Sequence, residues 1–395
     1  MAETLTSLPT RRDNHFDPPP ELLRIRDEPV HRLIFPDGHP GWLVIGYSTA
    51  RKVLADPRFS VRQELRRELI SRGSSALPEE PAQPGFFVRM DPPEHTRYRR
   101  LLTAHFTVRR MSHLATRVEQ ITGERLDAMR RSGPPVDLVE EFALPIPSMV
   151  ICELLGVPYA DHEFFQRHSA TTVTLDVSRE EQAGAMSALR EYLAELTAAK
   201  RADPGDDLLS TLTRDEGLTD LEIANIALLL LLAGHEATGN MLALGAYALL
   251  RNPEQLALLR SDPSLMGGAV EELLRYLSVV HLGTRRVALE DVEVDGTPVR
   301  AGETVFVSLP VADRDPGRHT NPDELDITRP ARGHLAFGHG VHQCLGQQLA
   351  RIELRVGYTE LLRRFPSLRP AVPPSAVAMR ENTATFGVRS LPVTW

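Results

Sequence analysis

The sequence predicts a mainly α-helical fold with a small β region, built as a single domain. Apolar residues recur mostly at helical spacing from about Glu94 to Arg275, whereas segments on both sides alternate apolar and polar residues. A chain of 395 residues that is 42% hydrophobic can bury one large core, and neither an internal repeat nor a linker divides it. We therefore expect one domain over residues 21–395, after a flexible, proline-rich leader over residues 1–20.

A small sheet is expected to begin the chain. The stretch "HRLIFPDGHPGWLVIGY" is typical of two short strands around a proline and glycine turn, and "STARKVLADPRF" after it is typical of a helix. In the long helical region that follows, the breaks "RSGPPVD", "GVPYAD" and "KRADPGDD" predict loops between helices.

Strands are expected again late in the chain. The stretch "RRVALEDVEVDGTPVRAGETVFVSLP" alternates apolar and polar residues around Asp295 and Gly296, a dipeptide that favours a hairpin turn. An irregular stretch then runs to Phe337, a helix follows Cys344, and the closing "GVRSLPVTW" is expected to return to the sheet.

Composition narrows the class of partner. The net charge is −8, from 53 acidic against 45 basic residues, so no overall positive field favours nucleic acid or an anionic membrane. No apolar run approaches the roughly 18 residues of a membrane span, and the two cysteines allow at most one disulfide. We expect a soluble, cytoplasmic protein that binds neither a membrane nor nucleic acid.

The stretch "FGHGVHQCLG" holds Cys344 among three glycines, directly before the predicted helix. Free backbone N–H groups at a helix start stabilise a thiolate, and glycines let the backbone approach a flat ligand closely. One thiolate without a second cysteine nearby suits haem iron, where a single axial sulfur suffices. Two alternatives remain open: a buried structural cysteine, and a zinc site formed with His334, His339 and His342.

The stretch "TDLEIANIALLLLLAGHEATGNMLALGAYALLRNPEQ" predicts a long central helix. It opens with the capping-box pattern Thr219 to Glu222, is apolar nearly all round, and carries Glu236 and Thr238 near its middle. "HEATG" is not the zinc-protease pattern, because Gly239 stands where the second histidine would be. The polar residues predict either hydrogen bonds to backbone carbonyls or a proton path to a buried oxygen site.

Together these segments resemble the cytochrome P450 superfamily of haem-thiolate monooxygenases, most closely its soluble actinobacterial members, along the whole chain to the terminal "LPVTW". "FGHGVHQCLG" is similar to the haem-binding loop of that family. The resemblance implies that Cys344 is the axial thiolate of haem b and the metal ligand, with Phe337 beside it and His342 near a haem propionate.

Three further motifs carry the same resemblance. "EELLR" matches the family's Glu-x-x-Arg motif and implies a structural ion cluster of Glu272 and Arg275, with Arg329 of "LDITRP" as its third member. "DPPEHTRYRRLL" matches the helix over the haem edge, so that His95 and Arg99 are implied propionate ligands. Arg286, at the start of the late strands, is implied as another.

The central helix departs from the family pattern in one position. There the acid, here Glu236, is usually followed by a threonine that helps deliver protons, and this chain has Ala237. We hypothesise that Thr238, an ordered water or a hydroxyl of the substrate takes over that role. The implied catalytic residues are therefore Glu236 and Thr238, together with Ala237 at the position where the family usually has threonine.

The resemblance implies a monooxygenase that inserts one oxygen atom of O2 into a small or medium apolar substrate, by hydroxylation or epoxidation of a natural product. Electrons derived from NAD(P)H are expected from a separate ferredoxin and ferredoxin reductase, because the chain has no nucleotide-binding fingerprint, and we expect a monomer. Arg97, Arg100 and Arg351 are candidates for docking that carrier. A haem sensor or carrier that never activates oxygen is the alternative. The motif register suggests these substrate-facing residues: Phe86, Phe87, Leu229, Leu232, Ala233, Leu282 and Thr385.

Overall fold

The structure is a computed structural model that describes residues 4–69, 80–173, 177–380 and 383–395. Contacts group the chain into two compact units. We call the first the sheet unit; it comprises Met1–Ala82, Val88–Arg97 and Gly267–Leu345. The second, the helical unit, comprises Gln83–Phe87, Tyr98–Met266 and Gly346–Trp395.

Helices dominate the fold, as the periodicity predicts. In chain order they are α1 (Pro20–Arg24), α2 (Tyr47–Ala55), α3 (Glu94–Thr103), α4 (Val108–Ser132), α5 (Pro145–Leu155), α6 (His162–Val173), α7 (Arg179–Ala202), α8 (Leu208–Leu212), α9 (Asp220–Arg251), α10 (Pro253–Ser261), α11 (Met266–Leu277), α12 (Leu309–Ala312) and α13 (Gln347–Arg364).

The strands are short. They are β1 (Thr4–Leu5), β2 (Val30–Ile34), β3 (Pro40–Val44), β4 (Phe59–Ser60), β5 (Val136–Asp137), β6 (Thr284–Ala288), β7 (Val292–Val294), β8 (Thr297–Val299), β9 (Thr304–Val307), β10 (Arg369–Pro370), β11 (Ala378–Arg380), β12 (Gly387–Ser390) and β13 (Pro392–Thr394). The mainly α fold with a small β region is therefore confirmed.

The sheet unit is organised around a mixed sheet with the strand order β1-β2-β3-β9-β6-β4. The predicted hairpin of β2 and β3 pairs Val30 with Val44, and β6 pairs antiparallel with β9. One apolar cluster packs β9 and its neighbours against α2, through residues such as Val53 and Val305. This core fixes β6 and α2, which line the cavity described below.

The hairpin of β7 and β8 forms where the sequence predicts it. Asp295 has φ +47° and Gly296 has φ +81°, the left-handed pair that a two-residue hairpin turn requires. The Asp295 carboxylate also accepts hydrogen bonds from Thr49 and Lys52 of α2. The turn is thus tied to the core of the sheet unit.

Helix α9 runs through the core of the helical unit. It begins after Thr219 with the predicted capping box and ends at Arg251, so that its 32 residues extend about 48 Å. It is long and apolar enough to cross a membrane, but 78% of its most apolar window is buried inside the protein. Packing against other helices therefore accounts for its composition without a membrane.

Helices α9 and α13 pack closely within the helical unit. The Tyr358 hydroxyl donates a hydrogen bond to the Met241 carbonyl at 2.5 Å, and a methyl group at Gly245 would overlap that hydroxyl. Helix α5 lies against another part of α9, where Gly234 faces Ile151. Small residues on α9 thus let two neighbours approach its backbone.

The leader makes contacts with the sheet unit. Strand β1 pairs parallel with β2, and Phe16 is buried. The Arg12 guanidinium lies 3.3 Å from Nδ1 of His281. Flexibility over residues 1–20 and a single catalytic domain over residues 21–395 stay predictions.

Candidate active site

Cys344 lies in an exposed loop of the sheet unit. Its backbone N–H donates to the Phe337 carbonyl at 2.9 Å, which closes the loop on itself. Gly338 and Gly340 have φ +70° and +77°, and a Cβ at Gly340 would lie 2.5 Å from the Leu54 carbonyl oxygen. Glycine is therefore required at position 340 both by the backbone conformation and by this close approach.

The two cysteines have opposite environments. Cys344 is exposed, and the following helix α13 begins only three residues later, at Gln347. Cys152 is buried within α5, and burial raises the pKa of its thiol to about 12. Only Cys344 is therefore placed to act as a thiolate ligand, and the alternative of a buried structural cysteine at this position is wrong.

The zinc alternative is also wrong for the described part of the chain. Among the residues that the structure describes, no group of three or more His, Cys, Asp or Glu side chains could hold a metal ion. His334 instead lies 3.3 Å from the Glu271 carboxylate and packs against the Phe337 ring. Its imidazole is thus used in the core of the sheet unit.

A cavity of about 240 Å³ opens beside the cysteine loop within the sheet unit. Its lining combines basic and small residues: Leu54, Val61, Arg66, Val88, Gly283, Thr284, Arg285, Arg286, Gly338, His339 and His342. His342 and Arg286 are two of the predicted haem contacts. Three arginines and two histidines around one cavity predict an anionic occupant.

Arg286 is a buried cation that still needs a counter-ion. It is 5% exposed, and burial lowers the pKa of its guanidinium to about 10, although Asp91 opposes the shift. Its guanidinium donates to the Arg285 carbonyl at 2.9 Å, and within the described ranges no carboxylate forms an ion pair with it. Such a charge is costly unless an anion binds it. This arrangement fits a cofactor that carries carboxylate groups.

Two of the predicted propionate ligands lie together. The His95 ring, on α3 and 2% exposed, is 4.1 Å from the His342 ring between centroids. Arg99, one helical turn further along α3 in the helical unit, is half-buried. The structure thus places His95 and His342 in contact, and it places His342 and Arg286 at the same cavity.

The predicted ion cluster is assembled as a buried network in the sheet unit. Arg275 donates to both oxygens of Glu272 at 2.7 and 2.8 Å, and Arg329 donates to Glu272 at 3.2 Å. Glu272 and Arg275 are completely buried. Arg275 also donates to the carbonyls of Asp313 and Pro322, at 3.0 and 2.8 Å. The cluster therefore joins α11 to the segment before the cysteine loop.

Glu236 lies in a polar network of the helical unit. Burial raises the pKa of its carboxyl group to about 7, against the opposing effects of Arg380 and of a hydrogen bond from Thr385. Arg380, on β11, lies 3.3 Å from the carboxylate, and Asn240 Nδ2 donates to the Thr385 hydroxyl at 3.0 Å. A carboxyl group with a pKa near neutral both holds and releases protons under physiological conditions.

Arg380 and Asn240 were not predicted as site residues. Asn240 follows Glu236 by four residues on one apolar helix, a spacing that places both side chains on the same face. That spacing is a signal that sequence reasoning had available. Arg380 is 144 residues away in the chain, and no local pattern connects it to Glu236.

The candidate substrate residues have different environments. Near the middle of α9, Leu232 and Ala237 are half-buried and Ala233 is exposed, whereas Leu229 is buried. Leu282 packs at the edge of an apolar cluster of the sheet unit. In the helical unit, Phe86 and Thr385 are half-buried and Phe87 is buried. The accessible positions on α9 form a short apolar stripe beside Glu236.

Comparison with known proteins gives consistent results. The cytochrome P450 family profile matches residues 166–383. Cytochrome P450 105C1 of Streptomyces sp is 52% identical over 388 residues, which cover 98% of this chain and 97% of that protein. Vitamin D3 dihydroxylase of Streptomyces griseolus is 45% identical over 396 residues, with 98% and 97% covered.

Among solved structures, the crystal structure of CYP105P1 in complex with filipin I matches with a TM-score of 0.94 at 42% identity, over 99% of each chain. The family profile covers more than half of this chain, and the relatives align along nearly all of it. The basic cavity and the exposed thiol of Cys344 agree with that assignment. The protein therefore belongs to the cytochrome P450 family and is a haem-thiolate monooxygenase.

Proposed function

We propose that the protein hydroxylates or epoxidises a small or medium apolar natural product, with electrons from a separate ferredoxin and ferredoxin reductase. The observation that carries the proposal is the accessible apolar stripe of Leu232, Ala233 and Ala237, which lies beside the acid Glu236 on the core helix α9. An apolar surface of this kind favours an apolar substrate, and the adjacent carboxyl group supplies protons.

The names of the relatives support this class of substrate. One relative is called a vitamin D3 dihydroxylase, and CYP105P1 was crystallised with filipin I. We extend to this chain only the chemistry that they share, the oxidation of an organic natural product.

The proposal assigns haem b as the cofactor, which supplies the activation of dioxygen when bound. Cys344 would hold its iron, and Phe337 would pack beside the thiolate. His95, His342, Arg286 and Arg99 would hold its carboxylates, since arginine and histidine pair well with such groups. Arg286, whose burial Asp91 offsets only in part, thereby gains a directly bound counter-ion.

The chain's own residues then perform two tasks. The apolar stripe on α9 orients the substrate and excludes water. Excluding water prevents side reactions that would compete with oxidation of the substrate. Glu236, with a pKa of about 7, holds a proton at its carboxyl group and releases it when the reaction consumes one. A soluble, cytoplasmic monomer completes the proposal.

A spectrum tests the cofactor part. We expect a strongly red-shifted Soret band when the purified protein is reduced under carbon monoxide. Cys344→Ala should lose that band, and Cys152→Ala, which changes the other cysteine, should keep it. A wild-type protein that binds no haem after reconstitution with haemin would refute the assignment.

Turnover tests the catalytic part against the sensor alternative. With a surrogate ferredoxin and reductase and a panel of apolar natural products, we expect an oxygenated product that carries ¹⁸O from labelled O2. A haem sensor or carrier would show the spectrum without product. The names of the relatives, which include a dihydroxylase, do not favour that alternative.

A further inference from the structure

The residue after Glu236 on α9 has no hydroxyl group. Ala237 stands in that position, and Thr238 is buried on the same helix. Of the described residues, those that contact the Glu236 carboxyl group are Arg380 and Thr385, and Thr238 is not among them. The hydroxyl that lies at the acid therefore comes from outside α9.

The hydrogen bonds of Thr385 have a defined direction. Asn240 Nδ2 is a donor, so the Thr385 hydroxyl oxygen accepts from it at 3.0 Å. The single hydroxyl proton of Thr385 is then left to donate to the Glu236 carboxylate. The order Asn240 to Thr385 to Glu236 thus orients one hydroxyl group toward the acid.

The hairpin of β11 and β12 holds Thr385 in this position. A Cβ at Gly387 would lie 2.2 Å from the Asn240 side-chain oxygen, so the strand approaches α9 as closely as only glycine allows. The Thr383 hydroxyl donates to the Thr385 carbonyl and braces the connection between the two strands. Thr385 itself is half-buried, which leaves one side of it accessible to solvent or ligand.

The charged and titratable groups around Glu236 are few among the described residues. Arg380, on β11, lies 3.3 Å away and favours the carboxylate. His235 precedes Glu236 but turns elsewhere, since its Nδ1 lies 2.7 Å from the Leu231 carbonyl and its Nε2 lies 3.0 Å from the Ser169 hydroxyl. Burial lowers the pKa of His235, so it is neutral near pH 7.

We propose that Thr385 replaces the hydroxyl that Ala237 lacks and acts as a positioning residue that orients Glu236 and relays its proton. The proposal rests on the monooxygenase function described above. Once Glu236 carries its proton, its carboxyl group donates to the second lone pair of the Thr385 oxygen, and the Thr385 hydroxyl proton turns to a water or ligand atom on the accessible side of Thr385. In the relay that atom takes the hydroxyl proton while the Glu236 proton passes to the Thr385 oxygen. Thr385 is unchanged, Glu236 becomes a carboxylate, and water restores its proton.

The test compares Thr385→Val, which keeps the shape and removes the hydroxyl, with Thr385→Ser, which keeps the hydroxyl. We expect Thr385→Val to lower the product formed per NADPH consumed several-fold, and Thr385→Ser to restore most of it. Ala237→Thr in the Thr385→Val background should also restore coupling, because it returns a hydroxyl beside the acid. If Thr385→Val couples like the wild type, or if Thr385→Ser fails equally, the proposal is wrong.

A second readout does not depend on turnover. The carboxyl band of Glu236 in the infrared spectrum of the resting holoenzyme, assigned by its loss in Glu236→Gln, is titrated against pH. Losing a donor to the carboxylate should raise the pKa of Glu236 by about one unit in Thr385→Val and leave it near the wild-type value in Thr385→Ser. An unchanged pKa of Glu236 in Thr385→Val would show that Thr385 does not donate a hydrogen bond to Glu236, and the proposal would be wrong.

The two readouts separate the failure of this inference from a failure of the proposed function. A wild-type protein without product or without the red-shifted band would refute the monooxygenase proposal. A productive wild type whose Thr385→Val variant matches it in both coupling and titration would refute only the role of Thr385.

Discussion

Arg286 illustrates how a single buried charge links stability to ligand binding. Asp91 offsets the burial of its guanidinium only in part, and no carboxylate of the described residues forms an ion pair with it, so this charge destabilises the apoprotein. Arg286→Met should therefore raise the free energy of unfolding of the apoprotein and, at the same time, accelerate haem loss roughly ten- to a hundredfold. Thermal unfolding of the apoprotein and haem transfer to an acceptor apoprotein measure the two effects.

The control for Arg286 is its neighbour on β6. Arg285 is half-buried, donates to the Arg67 carbonyl at 2.8 Å and lies 3.9 Å from Glu68. Arg285 also lines the cavity, but its guanidinium already has the Arg67 carbonyl and Glu68 as partners, so Arg285→Met should change both quantities much less. Equal haem loss from the Arg286→Met variant and the wild type would show that Arg286 does not bind a propionate.

Glu353 predicts a pH dependence of stability. It is 2% exposed on α13, and burial alone raises the pKa of its carboxyl group from 4.5 to about 8. The unfolded chain releases this proton near pH 4.5 and the folded protein only near pH 8. Its contribution to stability is therefore complete below pH 4.5 and is lost as the pH rises to about 8, at up to about 1.4 kcal/mol per pH unit.

Glu353→Gln removes this titration. The difference in free energy of unfolding, variant minus wild type, should increase between about pH 4.5 and pH 8 and stay constant above pH 8. Denaturant unfolding at several pH values measures it. Glu195→Gln, which changes an exposed glutamate on α7, is the control and should show no such trend. A constant difference across this range would contradict the prediction.

At the scale of elements, the buried ion cluster holds α11 to the segment from Asp313 to Arg329. Arg275→Met leaves Glu272 as a buried carboxylate with Arg329 as its one remaining cation among the described residues, and removes donors from two buried carbonyls. Breaking one side of such a cluster costs about 3 to 5 kcal/mol of unfolding free energy. Denaturant unfolding of the holoenzyme measures this loss.

Helix α13 offers a matched control with the same spacing. Glu360 and Arg363 also stand three residues apart and pair at 2.6 Å, but Arg363 is exposed. Arg363→Met should change stability little, because solvent already screens that pair. Similar losses in both variants would mean that burial does not strengthen the Arg275 cluster.

At the scale of the whole molecule, the proposed function requires electrons from another protein. Arg97 and Arg100 are exposed and Arg351 is half-buried, with its guanidinium 3.0 Å from the Gln347 side-chain oxygen. If these residues dock an acidic ferredoxin, reversing their charge to glutamate should slow haem reduction several-fold at low ionic strength and weaken its salt dependence. Stopped-flow reduction at several salt concentrations measures both quantities.

Reversal of Arg179, an exposed arginine on α7, is the control for the total change in charge. Its reduction kinetics should stay close to those of the wild type. If reversal at Arg97, Arg100 and Arg351 gives the same rates and the same salt dependence as the control, the docking proposal is wrong.

Elements with strong local signals are the ones that the sequence predicted best. The capping box at Thr219 and the Asp295-Gly296 turn are set by residues within one turn of each other, so their patterns are visible in a linear chain. The spacing of Glu272 and Arg275 predicted a pair for the same reason. Only the structure distinguishes their complete burial from the pair of Glu360 and Arg363, in which Arg363 is exposed.

The linear sequence was enough to predict the fold class, the cysteine loop and, through its motifs, the family, because all three depend on residues close together in the chain. Which groups share a site depends on long-range contacts that are visible in the folded protein. The fold placed His95 against His342, left Arg286 as a buried cation, and set Arg380 and Thr385 at Glu236. These contacts join residues more than 140 positions apart, and burial, which no linear pattern reveals, sets their energies.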